Sequence, residues 1–82
     1  MRYKIEYRKR ALKFIMKQSE GNQRRIFSAV NALPFHGDIK KLSGVAEQYR
    51  LRVGDFRIIY TVDHGNLIIE VVDANNRGDI YK

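Results

Sequence analysis

Apolar and polar residues alternate from the start of the chain: Tyr3, Ile5 and Tyr7 interleave with Arg2, Lys4, Glu6 and Arg8, the period-two pattern of a half-buried strand. At Lys9 the period lengthens. Ala11, Leu12, Phe14, Ile15 and Met16 form the apolar stripe of an amphipathic helix reaching about Gln18, and Ser19-Glu20-Gly21-Asn22 reads as a turn in which Gly21 takes the left-handed conformation that ends a helix. A second helix turns Ile26, Phe27, Ala29, Val30 and Leu33 inward and must stop before Pro34. Residues 35–47 show no period and contain Gly37 and Gly44, so they read as a loop crossing to the sheet.

Three strands follow, over 48–53, 56–62 and 67–73. Gly54-Asp55 has glycine at the first central position of a type II′ hairpin, and 63–66, with His64 and Gly65, fits a second hairpin turn. The order is β-α-α-β-β-β, which predicts an α+β fold: a small, mostly antiparallel four-stranded sheet with an N-terminal helical hairpin on one face.

A two-residue turn at 54–55 pairs Val53 with Phe56, Arg52 with Arg57, Leu51 with Ile58, Arg50 with Ile59 and Tyr49 with Tyr60. Tyr49, Leu51, Val53, Phe56, Ile58, Tyr60 and Val62 then face the helices, with Leu67, Ile69 and Val71 continuing that side. Arg50, Arg52, Arg57, Ile59, Thr61 and Glu70 fall on the opposite surface. Like charges directly across an antiparallel pair cost up to about 1 kcal/mol, so Arg52 opposite Arg57 calls for an anionic ligand; the plainer alternative is that the cations protect a two-sided sheet from aggregation. The tail from Asn75 to Lys82 adds Arg77, which could fold back onto phosphate, and Tyr81, which could stack, move a proton or simply pack.

Composition sharpens this. Eighty-two residues make one domain, 1–82, around one core. A net charge of +7 points to a polyanionic partner, nucleic acid or acidic protein. The absence of cysteine excludes disulfides and thiolate ligands, and His36 and His64 are too few for a zinc site and read as ordinary turn residues, so no metal or cofactor is expected. No apolar run is long enough to span a membrane and the first twenty residues are charged throughout, which points to a cytoplasmic protein.

Taken together, the element order, Lys41-Leu42-Ser43-Gly44, the run Tyr49-Arg50-Leu51-Arg52-Val53-Gly54-Asp55-Phe56-Arg57-Ile58-Ile59-Tyr60 and the ending Arg77-Gly78-Asp79-Ile80-Tyr81 resemble the RelE/ParE superfamily of type II toxin–antitoxin toxins, with the RelE-type mRNA interferases nearest. The resemblance covers essentially the whole chain. It implies a metal-independent endoribonuclease that cuts mRNA in the ribosomal A site by attack of a ribose 2′-hydroxyl on the adjacent phosphate, arresting translation and growth. It carries catalytic roles onto Arg50, Arg52, Arg57, Arg77 and Tyr81, and RNA contacts onto Lys41 and the same arginines. Arginine in place of the lysines that some relatives have at the two strand positions makes Arg50 and Arg52 charge stabilisers rather than bases, leaving Tyr81, then Glu70, as proton acceptor. The implied partners are the ribosome, mRNA and a cognate antitoxin held in a hetero-oligomer. Two other functions share the fold: ParE-like inhibition of DNA gyrase without catalysis, and nucleic-acid binding by a nuclease-dead module.

Overall fold

A computed structural model describes residues 2–42 and 47–76, and in it the period-two and helical stretches fold as β1 (Lys4–Tyr7), α1 (Lys9–Met16), α2 (Glu20–Asn31), β2 (Asp38–Lys41), β3 (Gln48–Val53), β4 (Phe56–Asp63) and β5 (Ile68–Asn76). The fold is α+β, as the sequence predicts, but the sheet has five strands rather than four, in the order β1-β5-β4-β3-β2. The extra strand, β2, lies inside the stretch read as a loop. Only Ile39 of its four residues is part-buried, so a short edge strand here has almost no apolar alternation to display. Neighbouring strands are antiparallel except β1 and β5, which run parallel.

The helices begin and end differently from the pattern reading. α1 stops at Met16, and its C-cap Lys17 stays right-handed (φ −82°). α2 starts at Glu20, with Ser19 as N-cap: the Asn22 amide donates to Ser19 Oγ at 3.2 Å, satisfying one of the donors a helix start leaves free. Gly21 is therefore inside α2 and does not terminate α1. On α1, Ala11 and Ile15 are fully buried, whereas Leu12 and Met16, expected in the core, are 39% and 54% exposed.

One face of the sheet carries the core. Ala11, Ile15, Ile26, Val30 and Leu33 of the helical layer meet Leu51, Phe56, Ile58, Tyr60, Ile69 and Val71 of the sheet. Each fully buried aliphatic side chain contributes about 1.5–3 kcal/mol, so the alternation in β3 and β4 fixes which face meets the helices. Edge-to-face rings clamp the layers, Tyr7 on Phe27 at 5.6 Å and Phe14 on Phe56 at 6.1 Å. Gly37, at φ +131°, lets the chain pass close over the core: a Cβ there would lie 2.7 Å from Leu51 Cδ1. Among the described residues, no helix is long and apolar enough to cross a membrane.

Candidate nucleic-acid interface

The face away from the helices is organised by the β3–β4 hairpin. Gly54 has φ +57° and Asp55 does not share the left-handed region, as a glycine-first II′ turn requires, and the pairs Arg52–Arg57, Leu51–Ile58 and Arg50–Ile59 form in the expected register. With Leu51 and Val53 buried, Arg50 and Arg52 are turned to the open face, and Arg57 lies beside them on β4. β2 extends this face, setting Asp38 opposite Arg52 and Lys40 opposite Arg50. Lys41 is not brought there: its partner Tyr49 belongs to the helix side, so the structure puts Lys40 where the motif pointed to Lys41.

The guanidiniums are not equivalent. Arg52 is exposed, whereas the Arg50 side chain is only 18% exposed and donates from Nη2 to Asp38 Oδ1 at 3.3 Å. The Nε atoms of Arg50 and Arg57 are both buried and have no hydrogen-bond partner among the described residues. Leaving such a donor unsatisfied costs about 1–3 kcal/mol or more, a penalty that a ligand supplying anionic oxygens would remove.

A bulge in β5 completes the face. Tyr60 pairs with Val71 and Ile59 with Asp73, so Val72 is an extra residue, and beyond it Ala74 pairs with Ile58 and Asn75 with Arg57. Uninterrupted period-two pairing would have driven Asp73 into the core opposite Ile58. The bulge instead buries Ala74 and brings Asn75 alongside Arg57, where Asn75 Oδ1 is buried and has no partner among the described residues. The sequence mark of the bulge that places Asn75 is two successive apolar residues, Val71-Val72, which break the alternation just before Asp-Ala-Asn.

Farther along the face the charge changes sign. Glu70 pairs with Thr61 and Glu6, about 13 Å from the Arg57 row at about 3.3 Å per residue, and receives a hydrogen bond from Arg8 Nε at 3.0 Å. That distance and partner separate Glu70 from the arginines as a proton acceptor. Asp73 is likewise engaged, by Arg10 at 3.3 Å and by the Ala74 amide. Burial pushes the phenols of Tyr7 and Tyr60 up to about 12, so neither acts as a base near neutrality. His36 and His64 lie in bends and turns, with His64 Nδ1 sharing a 2.8 Å hydrogen bond with the Tyr3 hydroxyl. Arg77 and Tyr81 lie outside the described residues. Among those described, no cluster of three or more His, Asp or Glu side chains could hold a metal ion.

The sequence and fold have known counterparts. Residues 5–81 match the family model described as the ParE toxin of type II toxin–antitoxin systems, parDE. The RelE1 protein of Methanocaldococcus jannaschii is 31% identical over 88 aligned positions, spanning 100% of this chain and 98% of that protein. The archaeal RelE–RelB complex from Pyrococcus horikoshii OT3 superposes with a TM-score of 0.81 at 27% identity, covering 95% of this chain and 98% of that one. The RelB–RelE antitoxin–toxin complex from Methanococcus jannaschii gives 0.74 at 27% identity, covering 93% and 94%. With a model match over nearly its whole length and a relative matched end to end, this chain belongs to the RelE/ParE superfamily of toxins from type II toxin–antitoxin systems.

Proposed function

We propose that this toxin is a metal-independent endoribonuclease that cuts mRNA in the ribosomal A site. The observation that carries the reading is the open face itself: Arg50, Arg52 and Arg57 converge on one rigid hairpin, and two of them hold buried Nε donors that have no partner among the described residues. Such a surface matches a phosphate whose negative charge grows in the transition state. The ribose 2′-oxygen bonds to phosphorus as the bond to the 5′-oxygen breaks; the 2′-hydroxyl proton passes to a base and the leaving oxygen gains one. Arg50, Arg52 and Arg57 stabilise the pentavalent phosphate, Arg77 supplies a further cation, and Tyr81 takes the proton. The substrate and target place the protein in the cytoplasm. Among the described residues the carboxylates near the arginines are engaged by Arg8, Arg10 and Arg50, and in this reading the ribosome supplies orientation of the message.

The reading includes a cognate antitoxin. The Pyrococcus and Methanococcus relatives are RelE–RelB complexes, and α1 here exposes Leu12 and Met16 among Lys9, Lys13 and Lys17, a surface suited to an acidic amphipathic segment. The match to a ParE model supports a second reading, gyrase inhibition. Inducing the toxin in bacteria and mapping transcript 5′ ends separates them. Cuts within translated codons, absent with Arg57→Ala, are expected; intact messages with defective DNA supercoiling would establish gyrase as the target, and neither effect would leave nucleic-acid binding alone.

A further inference from the structure

Arginine donates only, so the guanidiniums can hold a phosphate but cannot accept the hydrogen of the attacking hydroxyl. Among the described residues, the one buried side-chain acceptor without a partner is Asn75 Oδ1, on the strand position directly across from Arg57. Residues so paired have Cβ atoms about 4.5–5.5 Å apart, so a nucleotide whose phosphate meets Arg57 has its neighbouring ribose within reach of Asn75. The alternative acceptors are occupied: Asp38 by Arg50, Asp73 by Arg10 and the Ala74 amide, Glu70 by Arg8.

From this we infer that Asn75 is a ribose-reading residue: its Oδ1 accepts a hydrogen bond from the 2′-hydroxyl at the cut site, aligning that oxygen with the phosphate held by Arg57. An amide oxygen is too weak a base to remove the proton, which passes to the general base as the O2′–P bond forms. Asn75 orients the nucleophile and makes the site selective for ribose over deoxyribose, since the 2′-hydroxyl is the group that distinguishes the two. The bulge at Val72 is what delivers this acceptor to the arginine face. The inference rests on the ribonuclease reading.

The test compares wild-type toxin with Asn75→Leu, which keeps the side chain's size and removes the unpaired acceptor. Three measurements are needed: single-turnover cleavage on programmed ribosomes, binding to ribosomes whose message carries a single uncleavable 2′-deoxy nucleotide at the cut site, and Tm. Asn75→Leu is expected to cleave about 10- to 100-fold more slowly, as loss of alignment does, while binding the deoxy message like wild type and melting at the same temperature or higher. Wild-type cleavage rates in the variant would overturn the inference and leave the ribonuclease reading intact. So would a parallel loss of affinity for the deoxy message, which would assign Asn75 to the phosphate, or a lowered Tm, which would assign it to the fold. A wild-type toxin that does not cut the message would overturn the ribonuclease reading, and this inference with it.

Discussion

The phenol of Tyr60, wholly enclosed by the core, is pushed up to about 12 by burial and by the charge of the neighbouring Tyr49, and burial alone takes Tyr7 to about 12. Between an unfolded value near 10 and these folded values the native state holds protons that the unfolded chain has lost. Their stabilisation is therefore complete below about pH 10 and disappears as pH rises to about 12, on the order of 2–3 kcal/mol for Tyr60. Alkaline unfolding followed by circular dichroism should show that loss, and Tyr60→Phe should flatten it. At the open face, Arg57→Gln removes both the repulsion from Arg52 and a buried unpaired donor, so chemical denaturation should find it as stable as wild type or up to about 1 kcal/mol more stable. Cleavage should move oppositely, losing about 2–4 kcal/mol of transition-state stabilisation. Arg52→Gln should gain less stability, because Asp38 already lies opposite Arg52. The arginine pair was legible in the sequence because a two-residue turn leaves one register. Asp38, which tempers it, was not, because nothing in 35–47 signalled a strand.

The hairpin and the bulge decide, at the level of elements, which side chains share the open face. Gly54→Ala should cost about 1–2 kcal/mol in urea denaturation, since φ +57° strains any residue with a Cβ, and the Arg25 guanidinium 2.7 Å from that Cβ would have to move. Single-residue deletions probe β5 more sharply. Removing Val72 deletes the extra residue and leaves every cross-strand pair as it is, so the protein should fold with a straighter strand. Removing Ala74 draws Asn75 into the core opposite Ile58 and should abolish cooperative thermal unfolding. The long alternating stretches of β3 and β4 were legible because every second residue packs against or within the core. The irregular parts did not: the bulge breaks the period being sought, and Leu12 and Met16 continue a helical stripe wider than the sheet beneath it can cover.

For the whole molecule, a charge of +7 concentrates meaning in a few positions, because exposed pairs such as Arg24–Glu20 contribute little whereas Arg50, Arg52 and Arg57 gather on one face of the sheet. If Lys40, Arg50, Arg52 and Arg57 each meet a phosphate, affinity for single-stranded RNA should fall with salt at a log–log slope of about −2.8, and Arg57→Gln should reduce it to about −2.1, at about −0.7 per contact. A titration from low to high salt followed by fluorescence anisotropy would measure both, and a slope near zero would remove phosphate from the picture. The parallel pairing of β1 with β5 also imposes an order on the protein's own synthesis. Lys4 waits for Ile68, its register partner, and translation at about 5–20 residues per second makes that wait roughly 3 to 13 s. Until β5 is threaded between β1 and β4, Arg57 has no Asn75 beside it, the first strand has no neighbour, and the guanidinium face has no finished floor. The sheet is thus incomplete for most of the chain's synthesis, and that interval offers a nascent-chain partner two open strand edges to seize.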